Sequence, residues 1–340
     1  MALHANFLSI GSPDASQFQD NCINAFSRVF FECLSIVAVN VFVLISGWYG
    51  IKVNWKKFCS FIFQCLFFSL GLYVIKIVFG HTHQSFDSIF QFFVSGISMK
   101  KYWFVISYIG LYILSPVLNS FINSGGGSKN EHRIFVISFF VFEFVYGFLL
   151  DVEFRHGYSC IHLVGMYMLG RYLRLYANKL KKMSFGKLFL LYVIFALTDT
   201  FFVIIGVFDV VSLNPKIDWI FNCDSIAYTN PIVILSSVFL LLAFSKLELR
   251  NGVINYIASS SLAAYLFHLH PVIFPFYKNY VLTIYDNHNG FFSVILILCF
   301  ILLVFFISVV LDKLRKLVWD LFFAVFQIKT DFSRVEAEQV

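Results

Sequence analysis

Few residues in this chain are equipped for chemistry, and most of them stand inside apolar stretches. In the stretch 29–51, Glu32, Ser35, Asn40 and Ser46 fall within an arc of about 140° at 100° per residue. A carboxylate inside an apolar helix costs several kcal/mol unless it is paired or hydrated. Glu32 therefore either reaches water at a helix end or helps line a polar cavity. Asp199, between Thr198 and Thr200, is a second acid in an apolar stretch, and the sequence shows no partner for it. Near the C-terminus, Ala264-Tyr265-Leu266-Phe267-His268-Leu269-His270-Pro271 holds two imidazoles at i, i+2. That spacing puts them on different helix faces, which suits a cavity-lining or hydrogen-bonded His268 better than a shared metal, so no metal site is expected. Tyr102 and Trp103 open an apolar segment, as an interfacial aromatic belt would, and Pro116 should kink the same segment. His4 alone reads as a tail residue.

The elements that must position these groups follow from composition. Of 340 residues, 59% are hydrophobic and 13% charged, with 46 Phe. Soluble domains carry about 25% charged residues, so a water-soluble fold is excluded. Nine apolar segments are each about long enough to cross a hydrocarbon core: 29–51, 58–79, 102–121, 134–151, 159–176, 186–208, 230–247, 254–277 and 291–312. Residues 1–8 form a stub of about 12 Å, too short to cross. The expectation is an all-α, polytopic membrane protein with nine full transmembrane helices plus an N-terminal stub of a tenth. It forms one integral-membrane domain over 1–328, followed by a polar tail, 329–340. No basic region precedes a short apolar core, so no cleavable signal peptide is read.

Lys and Arg cluster in alternate loops: Lys52, Lys56 and Lys57; Lys129 and Arg133; Arg171 to Lys187; Lys246 and Arg250; and Lys313, Arg315 and Lys316. The other loops are acidic, with Asp14, Asp20, Asp151, Glu153 and Asp286 among them. Cytoplasmic loops carry the basic excess. The loop 9–28 should then face outward and the C-terminus and polar tail inward, in a multi-pass protein of the inner (cytoplasmic) membrane. The net charge of +6 is accounted for by this topology and does not argue for nucleic acid. None of the seven Cys form a C-x-x-C pair; Cys22 and Cys223 fall in outer loops, where a bridge is open to them.

Three segments, taken in order, resemble integral-membrane acyltransferase family 3. Phe42-Val43-Leu44-Ile45-Ser46-Gly47-Trp48-Tyr49 is similar to the family's S-G-aromatic helix end. Trp103-Phe104, then Gly110-Leu111-Tyr112 and Ser115-Pro116, resembles its W-F…G-L-Y…P helix. Ala264-Tyr265-Leu266-Phe267-His268 resembles its late Y-L-x-H helix. The resemblance spans essentially the whole chain. It implies transfer of an acyl group, usually acetyl from acetyl-CoA, to a hydroxyl or amine, typically of a cell-surface polysaccharide sugar or its lipid-linked precursor. Acyl-CoA is then a donor substrate, and no bound cofactor is expected.

The resemblance also assigns residues. His4 matches the family's reactive histidine, which would accept the proton of a hydroxyl as it attacks a thioester. The family's Arg or Lys would lie eleven positions before His4, ahead of Met1, so most of the family's first helix is absent from this sequence. Where the family carries basic residues after the S-G helix, often R-x-x-R, this chain has Lys52, Lys56 and Lys57, which would hold donor phosphates as point charges. Glu32, Ser46, Tyr102, Trp103 and His268 would line the substrate cavity. Other readings of the same pattern are an inactive, truncated acyltransferase, a transporter or flippase of polysaccharide precursors, and a polysaccharide polymerase. The transporter reading predicts paired halves, which the sequence does not show, and the polymerase a large outer loop.

Overall fold

The structure, a computed structural model, describes residues 1–79, 90, 94, 102–123, 129–208, 226–248, 250–288 and 291–337, with side chains in the last segment described from 292 to 321. Among the described residues all regular structure is helical. In chain order these helices are α1 (Ala2–Ala5), α2 (Phe7–Ile10), α3 (Ala15–Asp20), α4 (Cys22–Ser35), α5 (Ala38–Tyr49) and α6 (Trp55–Phe79), followed by α7 (Trp103–Asn123) and α8 (Lys129–Phe142). Then come α9 (Cys160–Tyr176), α10 (Asn178–Lys181), α11 (Phe185–Val207), α12 (Pro231–Phe244), α13 (Gly252–Ala258), α14 (Ser261–His268), α15 (Phe274–Asn287) and α16 (Phe291–Ala337). Among the described residues, six spans are long and apolar enough to cross a membrane: Cys22–Tyr49, Trp55–Val78, Trp103–Ile122, Lys129–Leu149, Phe185–Val207 and Phe292–Leu321.

The expected segment 254–277 is not one helix. It is split into α13 and α14 by a turn at Ser259 and Ser260, and α14 stops at His268 before Pro271. Proline has no N–H for the helical ladder, and serines compete for backbone bonds, so apolar composition alone did not reveal these breaks. The first span is also interrupted, since Ile36 and Val37 separate α4 from α5. Outside the spans, Asp14 caps α3 by accepting from the Gln17 amide at 2.9 Å and the Ser16 hydroxyl at 2.7 Å. Those bonds hold its carboxyl below the usual carboxylate range.

The chain divides into two compact units. The larger comprises Ala2–Val53 and Trp103–Arg250. Here α9 packs on α5, α7 and α8, and α11 packs on α4 and α12. The α5–α9 crossing is a backbone contact: a methyl group on Gly47 would run into the Tyr167 carbonyl, and one on Gly170 into the Leu44 carbonyl. Small residues permit such close approach between membrane helices. Just past the crossing, the Tyr167 hydroxyl accepts from the Ile51 amide at 3.1 Å and donates to Asn119 at 2.7 Å, while Asn119 returns a bond to the Ile51 carbonyl at 2.8 Å. The other unit comprises Met1, Asn54–Tyr102 and Asn251–Val340, in which α16 packs on α6, α14 and α15.

Candidate functional site

The N-terminal segment of the larger unit lies along α4. Asn6 donates to the Arg28 carbonyl at 2.7 Å, and the Phe7 amide donates to the Glu32 carboxylate at 3.4 Å. The Arg28 guanidinium donates to the Gly11 carbonyl. Glu32 does not reach water, since it is 3% exposed. His4 is half-buried in α1, and its carbonyl accepts from the Ser9 hydroxyl at 2.6 Å. Leu3, beside it, packs on a cluster that includes Tyr192 and Tyr228, and Trp103 packs on the same cluster. Trp103 is more than an interfacial belt residue: its ring lies 4.5 Å from Tyr158 and 5.8 Å from Tyr228, which are 5.1 Å from each other. The stub bearing His4, the carboxylate of Glu32 and an aromatic wall thus belong to one packed region of this unit.

Beside the wall is an arrangement that sequence reasoning missed. Glu143 bonds His162 Nδ1, His162 Nε2 meets Asn40 Oδ1 at 2.8 Å, and Asn40 Nδ2 donates to the Tyr228 carbonyl at 3.0 Å. Glu143 is 1% exposed, and His162 and Asn40 are each 0% exposed. The Tyr228 carbonyl, which only accepts, fixes which way the Asn40 amide faces. Asn40 Oδ1 then requires a proton on His162 Nε2, and a further proton lies between Nδ1 and the Glu143 carboxylate. Whichever of those two atoms carries that second proton, the Glu143–His162 pair is neutral overall.

Local structure holds this chain in place. Glu143 opens a π-helical stretch, Glu143–Leu149, that continues α8; such stretches are frequent at functional sites. His162 stands in the first turn of α9, where its amide bonds the Ser159 cap at 3.3 Å. The connecting loop carries left-handed backbone at Asp151, Glu153, Arg155, His156 and Gly157. It is tied to the wall by a bond from the Tyr228 amide to the His156 carbonyl at 2.9 Å. An acid inside 134–151 and a His inside 159–176 were visible signals, of the same kind that drew attention to Glu32.

The remaining candidates are spread over both units. Ser46 shares a hydrogen bond with the Tyr108 hydroxyl at 3.1 Å, joining α5 to α7. Asp199 accepts from Asn230 at 2.9 Å, which supplies the partner that the sequence did not show. Lys52, at the end of the larger unit's first segment, is exposed, as are Lys56 and Lys57 at the start of α6 in the other unit. In that other unit the buried Tyr102 donates to the Leu266 carbonyl at 2.8 Å, and His268 Nδ1 bonds the Ala264 carbonyl. His270 instead pairs with the Ser69 carbonyl at 3.1 Å, so the two imidazoles do face different partners. Cys22 is exposed, and Cys223 lies outside the described residues.

A family model described as an acyltransferase domain matches residues 7–313. The match takes in Glu32, the aromatic wall and the Glu143–His162–Asn40 chain, and begins three residues after His4. No curated protein and no solved structure matches the chain.

Proposed function

Since the chain belongs to acyltransferase family 3, we propose that it transfers an acyl group, acetyl in the expected case, from acyl-CoA to a hydroxyl of a cell-surface polysaccharide or its lipid-linked precursor. The family match over residues 7–313 carries this reading. The proposal places the chain in the inner membrane with its C-terminus cytoplasmic, crossing nine times, once through the broken segment that holds α13 and α14, with the stub of a tenth. In the reaction the acceptor oxygen forms a bond to the acyl carbon, the carbon–sulfur bond breaks, and CoA leaves as the thiol. A neutral His4 imidazole takes the hydroxyl proton as attack proceeds. The Glu32 carboxylate, through the Phe7 amide, orders the segment that carries His4. Tyr158, exposed and packed on Trp103 and the buried Tyr228, offers a ring face to an acceptor sugar.

The test is the acetyl content of surface glycans in cells with and without this gene, and in cells carrying His4→Ala. Loss of acetylation in the deletion and in His4→Ala supports the proposal. Acetylation lost in the deletion but retained in His4→Ala removes His4 as the base. No difference on deletion favours the transport or inactive reading.

A further inference from the structure

A concentrated group of charges lies in the smaller unit, where α16 meets α6 and α13. Asp312, 0% exposed, accepts from Gln64 at 2.8 Å and from Arg315 Nε at 2.9 Å, and Lys316 Nζ stands 3.4 Å from its other oxygen. Lys313 lies over the Tyr256 ring at 3.6 Å and donates to the Tyr256 carbonyl at 2.6 Å. Lys313 and Lys316 also converge on one atom, since each ammonium lies 3.0 Å from the Ser259 hydroxyl oxygen.

Three cations therefore stand around a single carboxylate. Two ammonium groups on one neutral oxygen repel each other, and nothing among the described residues offsets the surplus. Arg315 is 2% exposed, and its Nη1 has no hydrogen-bond partner among the described residues. The hydroxyl of Ser260, 0% exposed, is in the same condition. A buried guanidinium N–H without an acceptor is costly, and lysines that only needed water would extend toward it. Asp312 Oδ2, 3.4 Å from Lys316 Nζ, makes no hydrogen bond either, so what the cluster lacks is negative charge, with an acceptor for Arg315 Nη1 and the Ser260 hydroxyl, and a phosphate supplies both.

We infer that Lys313, Arg315, Lys316 and the Ser260 hydroxyl form a phosphate-binding site. The basic-loop distribution assigns this end of α16 to the cytoplasm, where two sources of phosphate are at hand. One is the phosphates of an acyl-CoA donor, which rests on the function proposed above; the other is the headgroup of an anionic lipid.

The experiment uses the full chain in phosphatidylcholine nanodiscs, with CoA, dephospho-CoA and, in separate nanodiscs, phosphatidylglycerol as probes. Its main variant is Lys313→Gln/Lys316→Gln, at two half-buried positions; Arg315→Gln is a second variant whose failure to assemble would not affect the first. One charge-assisted bond lost corresponds to about a tenfold loss of affinity. The site predicts at least that loss of CoA binding in the lysine variant, with wild-type affinity falling as salt is raised. Unchanged CoA binding with lost preference for phosphatidylglycerol keeps the site and assigns it to lipid. Both interactions unchanged in the variant, or neither present in the wild type, overturns it. Glycan acetylation of the same variants reports on acyl transfer separately, so the two readings fail separately.

Discussion

Replacing His162 by Phe preserves a planar ring while removing both nitrogens of the Glu143–His162–Asn40 chain. Glu143 is left 1% exposed without its partner, and Asn40 keeps only its bond to the Tyr228 carbonyl. Two hydrogen bonds are lost, and membrane-buried bonds average about 0.6 kcal/mol, which sets a floor near 1 kcal/mol. The stranded carboxyl sets the ceiling, because breaking a buried ion pair from one side costs about 3–5 kcal/mol. The expected loss is therefore about 1–5 kcal/mol, measured by reversible unfolding in mixed micelles. Glu143→Leu/His162→Phe removes both members and should recover most of it, leaving a coupling of at least about 2 kcal/mol in the double-mutant cycle. A single-variant cost under about 1 kcal/mol, or additive losses in the cycle, would refute the reading of a neutral, mutually dependent pair.

Gly47→Ala forces a methyl group against the Tyr167 carbonyl and should cost about 1–3 kcal/mol in the same unfolding measurement. Gly71→Ala, whose methyl would meet open space on α6, should be neutral or stabilising by up to about 1 kcal/mol. Asn119→Leu removes the bonds that Asn119 makes to the Ile51 carbonyl and the Tyr167 hydroxyl and should cost about 1 kcal/mol, with Tyr167→Phe costing no more. Glu32→Gln retains an acceptor for the Phe7 amide and should keep glycan acetylation within about threefold of wild type, whereas Glu32→Leu should lower it at least about tenfold. Equal acetylation in the two Glu32 variants would show that the carboxylate does not order the His4 segment.

The helical, membrane-crossing character of the chain was legible because apolar runs announce themselves by length and composition alone. The Ser46-Gly47 pair was legible as a motif, but its physical reason, two backbones in contact at Gly47 and Gly170, needs the partner helix. Helix ends within apolar stretches were harder to see, as at Ser259-Ser260 and Ile36-Val37. Asn40 was placed on a polar face together with Glu32, yet the two serve different partners. Its bonds reach residues 122 and 188 positions away, a separation that no local pattern encodes. For the same reason Glu143 and His162 were each visible as polar residues in apolar runs, but not as a pair. The basic residues that orient the chain told nothing of which would be buried, as Arg315 is and Lys52 is not.

The neutrality of the Glu143–His162 pair bears on energised cells. A lone imidazolium or carboxylate held within the bilayer experiences the transmembrane voltage, which is worth about 2.3 kcal/mol per elementary charge per 100 mV over the full thickness. A proton shared between two atoms of a neutral pair presents only a short dipole to that field. The occupancy of this proton, and the wall it supports, should therefore be indifferent to whether the membrane is polarised.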